Sequence, residues 1–263
     1  MSLEEPLGFE RIGAVARVTL NRPSAKNALN LEMAQALQKW SLELSQDTSV
    51  RAVILTGAGD AFCVGGDLRA VDAQSEEGAA YLTETAAALH IAISRMQRMD
   101  APVITAVNGV AAGAGFSLAL MGDYVMVSDR ARMVSAYTQI GLTPDGSSTY
   151  FLARTIGLQR AKSVLLFNKS LSAQDMLNWG IASDLVAHDA LPARATAMAE
   201  EIAQGPTLAY GETKRLLLNC FSDSLEGQME QEARAIHRSL RTSDGRVGVG
   251  CFVQKKNASF EGR

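Results

Sequence analysis

Cysteine, histidine and tryptophan are scarce in this 263-residue chain, and the scarcity narrows its chemistry. Its three cysteines, Cys63, Cys220 and Cys251, stand at irregular spacings. They make neither a disulfide framework nor a zinc-site pattern, and they suit a reducing, cytoplasmic compartment. His188 and His237 have no partner pattern, so no metal site is expected. No run of about 18 or more apolar residues occurs, which argues against a membrane-spanning helix. The first residues, Met1-Ser2-Leu3-Glu4-Glu5, are acidic and lack the basic and apolar parts of a signal peptide. Positive charge is not in excess: 25 Lys and Arg face 28 Asp and Glu, a net charge of −3. That gives no global field for nucleic acid and leaves open only a local basic site for a phosphorylated ligand. Fixed-period repeats and low-complexity segments are absent.

What the chain has is glycine in two informative places. One turn is Phe62-Cys63-Val64-Gly65-Gly66-Asp67-Leu68 and the other Asn108-Gly109-Val110-Ala111-Ala112-Gly113-Ala114-Gly115. Each follows a short apolar run that reads as a strand, Ala52–Leu55 and Pro102–Val107, and each runs into a plausible helix. Glycine lets backbone approach a ligand closely and leaves N–H groups free at a helix start. Two such turns can aim two donors at one oxygen, which is the plan of an oxyanion hole. The same turns also read as tight strand-to-helix packing corners. With 47% hydrophobic and 20% charged residues the balance is that of a globular protein. The length allows one large or two small domains.

Along the chain, Arg11–Leu20 reads as a strand, Asn21–Ser24 as a turn, and Leu31–Leu44 as a helix capped by Asn30. Arg51–Thr56 reads as a strand, Asp72–Gly78 as a polar, mobile stretch, and Ala79–Met99 as a long helix. Gly113–Met121 reads as a buried helix and Asp123–Ser128 as a strand. Beyond Thr143-Pro144-Asp145-Gly146-Ser147-Ser148, a turn with helix-start chemistry, the pattern is helical: Thr149–Thr155, Gln159–Phe167, Ala173–Trp179, Ala190–Gln204, Thr207–Cys220 and Ser224–Arg241. Strands alternating with helices, then helices alone, indicate an α/β core with a helical C-terminal portion.

Four motifs in order resemble the crotonase, or enoyl-CoA hydratase/isomerase, superfamily over nearly the whole chain. They are Asn21-Arg22-Pro23 with Lys26-Asn27-Ala28-Leu29, then Ala61–Leu68, then Val107–Leu120, then Ile140-Gly141-Leu142-Thr143-Pro144-Asp145 with Leu152-Ala153-Arg154. The resemblance implies an α/β spiral of repeated ββα units over residues 1–200. It also implies a helical trimerisation region over 201–263, giving a homotrimer or a hexamer made of two trimers. It implies an acyl-CoA thioester as substrate, coenzyme A entering as part of it, with no metal or redox cofactor required. The implied oxyanion donors are the N–H groups of Gly66 and Ala114. Coenzyme A contacts carried over in the same way are Ser24, Lys26 and Ala28, the backbone at Gly65, Asp67 and Leu68, and the basic pair Lys255 and Lys256. Each lysine also reads as an ordinary solvated charge.

The acid–base residues depart from the hydratase pattern. Where hydratases of the family carry two glutamates, this chain has Ser117 and Tyr137. Adding water across a double bond needs a base for the water and an acid for the α-carbon, and neither residue replaces a carboxylate near neutral pH. Asp145 stands where some members carry their only active-site carboxylate. Two subgroups do so: enoyl-CoA isomerases similar to the ring-epoxyphenylacetyl-CoA isomerase, and chlorobenzoyl-CoA dehalogenase, whose aspartate is a nucleophile. His90 matches the dehalogenase's histidine base, and Tyr137 takes the place of a tryptophan that donates to the aspartate. Isomerisation with Asp145 as acid/base is the favoured reading. Hydration, dehalogenation or hydrolysis with Asp145 as nucleophile, and binding without catalysis are its alternatives. An RNA-binding member is disfavoured by the charge of −3. On local sequence Asp145 also reads as a helix N-cap and His90 as a packed helix residue. Cys63 reads as small apolar packing. Glu84 reads as a solvated residue or a substitute base.

Overall fold

The computed structural model describes residues 5–71 and 75–263. The chain opens with a hairpin, β1 (Leu7–Ile12) antiparallel to β2 (Val15–Leu20). The single strand read over Arg11–Leu20 is therefore two, because Gly13 at φ +56° reverses the backbone. Next comes α1 (Leu31–Gln46), whose N-cap Asn30 accepts from the Met33 N–H as its sequence requires. Strand, strand, helix then recurs three times. The first set is β3 (Ala52–Gly57), β4 (Ala61–Cys63) and α2 (Glu76–Arg98). The second is β5 (Val103–Val107), β6 (Val110–Ala112) and α3 (Ala114–Leu120). The third is β7 (Tyr124–Ser128), β8 (Arg132–Val134) and α4 (Ser148–Ile156). Helix α2 begins at Glu76, capped by Ser75, earlier than the Ala79 start read from the sequence. Of the stretch read as polar and mobile, residues 72–74 lie outside the described residues, and its end is helical.

In each set the first strand joins one sheet and the second joins another. The six-stranded sheet runs β1-β2-β3-β5-β7-β10 and is parallel from β2 onward, with β10 at Asp184–Val186. The four-stranded sheet runs β4-β6-β8-β9, where β9 is Leu171–Ser172. The chain turns the corner between sheets without room for side chains. A Cβ on Gly57 would meet the Ala61 carbonyl, and one on Gly109 the Asp60 carbonyl. Two buried asparagines satisfy the corner carbonyls. Asn27 donates to Ala58 at 2.9 Å and Ala61 at 2.8 Å, and Asn108 donates to Gly59 at 2.8 Å.

Helices α5 (Leu158–Phe167), α6 (Ala173–Asn178), α7 (Leu191–Ala203), α8 (Thr207–Asn219), α9 (Leu225–Arg241) and α10 (Ser243–Val253) complete the chain. Leu191, Ala195, Ala199 and Ala203 of α7 cover the outer face of the large sheet against Val15, Ile54, Ile104 and Met126. The larger core lies between the two sheets and α1–α3. Helix α10 has no counterpart in the helical segments read from the sequence. No helix among the described residues is long and apolar enough to cross a membrane.

Candidate active site

Strands β4 and β6 are parallel neighbours, with Ala61 opposite Val110 and Cys63 opposite Ala111. Their C-terminal turns therefore emerge side by side. Gly65 holds φ +108°, and a Cβ there would lie 3.2 Å from the Ala112 carbonyl oxygen. Gly113 holds φ +51°, and its Cβ would lie 3.3 Å from the Gly65 Cα. Both glycines are required by close approach and by a left-handed backbone.

Ala114 follows as the first residue of α3 and is not among the positive-φ residues, so alanine fits there without strain. As a first-turn amide its N–H has no intrahelical acceptor. Gly66 forms a parallel bridge with Leu29, in which the bonds are made by its neighbours: Leu29 N–H to Gly65 at 2.7 Å, and Asp67 N–H to Leu29 at 2.8 Å. The Gly66 N–H consequently faces away from that bridge. Both amides belong to residues lining one cavity of about 470 Å³.

Asp145 reaches the same cavity from the loop before α4. Its backbone is tightly held. Its carbonyl accepts from the Ser117 hydroxyl at 2.8 Å, and from the Ser148 hydroxyl at 2.9 Å and N–H at 3.2 Å. Gly146 at φ +57° and Ser147 at φ +65° then turn the chain into the helix. The N-cap reading of Asp145 is thereby corrected. Ser147 occupies the cap position without a side-chain bond, and the Asp145 carboxylate points elsewhere. Its Oδ1 accepts from the Tyr137 hydroxyl, and its Oδ2 lies 3.7 Å from Nε2 of His90. That Nε2 also accepts the Gly146 N–H at 3.1 Å. Burial pushes the Tyr137 phenol far above its usual range, and the Asp145 charge adds to this, so Tyr137 stays a donor.

The two departures from a glutamate pair now have a spatial meaning. Ser117 is fully buried, and a Cβ on Gly146 would lie 2.7 Å from the Ser117 Cβ. A glutamate at Ser117 would displace the loop that carries Asp145. Tyr137 fills the second position and is engaged with Asp145. Among the described residues, Asp145 is the one carboxylate lining the cavity. Leu82, Ala86 and Leu89 of α2, with Ile140 and Leu142 opposite, make the walls apolar.

The residues assigned to coenzyme A divide. Ser24 and Lys26 are exposed on a 3-10 turn, and buried Ala28 follows it. The Val64 N–H donates to the Lys26 carbonyl at 3.3 Å, so this segment lies beside Gly65, Asp67 and Leu68. The Asp67 carboxylate is held by Arg22 at 2.9 Å and Arg69 at 2.9 Å. Arg69 first, then Arg22, lower its pKa to about 2. Asp67 thus clamps the first turn to the Arg22 loop. The sequence motif contained Arg22, but nothing local showed its distant partner. Lys255 and Lys256 close the end of α10 through their N–H groups and do not line the cavity of Gly66 and Ala114. Cys63 is buried, and burial pushes its thiol up to about 11, in keeping with apolar packing. Glu84 accepts from Gln35 at 3.3 Å and does not line the cavity.

A family model described as enoyl-CoA hydratase/isomerase matches residues 10–263. The chain is 34% identical to the 1,2-epoxyphenylacetyl-CoA isomerase of Escherichia coli (strain K12), over 95% of each chain. It is 30% identical to 4-chlorobenzoyl coenzyme A dehalogenase-2 of Arthrobacter sp, over 89% of this chain and 85% of that one. A crystal structure of an enoyl-CoA hydratase from Polaromonas sp. JS666 superposes with a TM-score of 0.91 at 30% identity, covering 97% of this chain and 99% of that one. The α/β spiral with its helical C-terminal region is the crotonase fold. Relatives named for three different reactions lie at similar identity, so the choice among them falls to the side chains.

Proposed function

We propose that this chain, which belongs to the enoyl-CoA hydratase/isomerase family, moves the double bond of an enoyl-CoA from the β,γ to the α,β position. The thioester oxygen sits between the N–H groups of Gly66 and Ala114. Asp145 removes a proton from the α-carbon, and the electron pair of that C–H bond moves onto the thioester oxygen as a dienolate. The two amides stabilise that oxyanion. Protonated Asp145 then returns the proton to the γ-carbon, and the double bond settles in conjugation. Tyr137, donating to Oδ1, orients the carboxylate between the two carbons. Carrying this reading is the single carboxylate, Asp145, in an apolar cavity where water addition calls for an acid and a base.

A second reading follows from His90, 3.7 Å from the Asp145 carboxylate. Asp145 attacks an aryl-CoA carbon, a leaving group departs, and water activated by His90 hydrolyses the resulting ester. Incubation with β,γ-enoyl, α,β-enoyl and halobenzoyl thioesters, read by ultraviolet absorbance and product mass, separates the readings. Conjugation without mass change supports isomerisation. A gain of one water supports hydration, and halide replaced by hydroxyl supports the nucleophilic route. Asp145→Asn is expected to lower isomerase turnover about 10²- to 10⁴-fold, and full activity in that variant overturns the mechanism.

We also propose that residues 201–263 assemble a trimer. Leu225, Met229, Ile236 and Leu240 on α9 are exposed in the single chain, and such an apolar stripe fits burial against a second copy. Sedimentation equilibrium tests this, and a monomer at micromolar concentration overturns it. On the same proposal Lys255 and Lys256 meet the coenzyme A phosphates of a neighbouring copy.

A further inference from the structure

Asp145 lines two cavities, and the mechanism uses only one of them. The second, about 490 Å³, lies beyond His90 between α2, the Asp145 loop, α4 and the end of α8. Ile93, Pro144, Phe151 and Leu218 give it apolar wall. Ser94, Arg98, Asn219 and Ser222 are among its polar lining. His90, Ser94 and Arg98 are four residues apart and share one face. Arg98 stands roughly 12 Å along the axis from His90. Its guanidinium donates to the Ser94 hydroxyl at 3.1 Å and forms no ion pair among the described residues. Arg98 also borders a neighbouring cavity with Glu212, but that carboxylate is taken by Arg215 at 3.5 Å and Arg238 at 2.8 Å. Asp145, at the opposite end, is the one carboxylate lining this cavity.

A cavity that shares Asp145 with the thioester cavity, and whose wall holds both apolar side chains and a guanidinium outside any described ion pair, has a defined complement. We infer that the second cavity receives the far end of the acyl chain, and that Arg98 recognises a terminal carboxylate on it. The substrate class is thus an ω-carboxylated acyl-CoA, with a chain long enough to span from Asp145 to Arg98. Methylene groups lie against Ile93, Phe151 and Leu218. The carboxylate meets Arg98, with the Asn219 amide as a further donor. The inference rests on the placement of the thioester at Gly66 and Ala114 but not on which bond is rearranged.

Binding therefore tests it separately from turnover. Calorimetric titration would use paired coenzyme A thioesters of equal length, one ending in methyl and one in carboxylate, across a series of rising chain length. At lengths that reach Arg98, the carboxylate is expected to tighten binding about tenfold, equivalent to about 1.4 kcal/mol, and the preference should weaken with salt. Shorter pairs should show no preference. Arg98→Met keeps the apolar stem and should abolish the preference, leaving the methyl-ended thioesters unchanged. Equal or tighter binding of the methyl-ended member at every length overturns the inference, as does a preference that survives Arg98→Met. Failure of the isomerase reading would appear instead as unaltered turnover in Asp145→Asn. Failure of thioester binding altogether would overturn both.

Discussion

The glycine-cornered spiral and the C-terminal helices are built on opposite plans. In the spiral, position is set by backbone against backbone. Gly57, Gly109 and Gly115 sit where a Cβ would strike the carbonyl of Ala61, Asp60 or Cys63. The two turns that present Gly66 and Ala114 can therefore hardly move apart without opening the sheet corner. In α8–α10, position is set by a few polar anchors, and apolar surface remains outside. Ala235 is the one buried residue described in α9, while Ile236 is 72% exposed. The chief anchor is Lys214, which donates to Met96 at 3.0 Å and Ala101 at 3.1 Å and pairs with Asp123 at 2.6 Å. The contrast teaches where each kind of precision is needed. On the proposed function, oxyanion geometry calls for a rigid backbone, whereas helices proposed to pack against another copy need only be held near the core.

The largest test of the contrast is at Lys214. Burial lowers the Lys214 pKa and raises that of Asp123, so desolvation opposes both charges and the pair's net worth is small. Removing one partner is a different matter, because it strands the other. Lys214→Met is expected to destabilise by about 3–5 kcal/mol, and Lys214→Met with Asp123→Asn should recover much of that. Amide hydrogen exchange should show α8–α10 losing protection while β3, β5 and β7 keep theirs. Simultaneous loss in both regions would break the comparison.

Glycine sharpens it, since the same substitution should have opposite signs in the two regions. Gly146→Ala places a Cβ at φ +57° and 2.7 Å from the Ser117 Cβ. The loop must shift, and with it the Asp145 carboxylate. A displacement near 1 Å is expected to lower kcat about 10²-fold. Gly250 lies inside α10 with ordinary φ, and a Cβ added there would meet nothing within 4 Å. Gly250→Ala should stabilise by about 0.5–1 kcal/mol through the unfolded chain and leave kcat alone. Turnover and thermal melts of both variants decide the matter, and equal signs would contradict it.

Legibility in the sequence follows the same division. The two turns are readable because glycines directly after apolar runs carry their meaning locally. Asp145 is not readable from its neighbours, which favour an N-cap. Its carboxylate is oriented by Tyr137 and His90, and its carbonyl by Ser117, all distant in sequence. Gly13 hides inside a β-prone run, so a hairpin reads as one strand. Helix α10 escapes the sequence pattern because Gly245, Gly248 and Gly250 depress helix propensity, while its capping by Thr242 and the bonds from Glu261 and Gly262 to Asp244 restore it. The Lys214 anchor has no local signal at all.

The smallest expected effect concerns acid and falls on the spiral alone. Asp67 ties the first glycine turn to Arg22 and Arg69, and those partners lower its pKa to about 2. Unfolded, an aspartate titrates near 3.9. A folded value below the unfolded one means stability that is fully present above about pH 4. It is lost as the pH falls through about 2. Because Arg69 is largely exposed, the contribution should be about 1 kcal/mol. Asp67→Asn has nothing to titrate, so it should melt below the wild type at pH 6 and approach it as acid is added. Thermal melts of the pair across this range provide the measurement. A gap that stays constant with pH would show that the clamp works by shape rather than by charge.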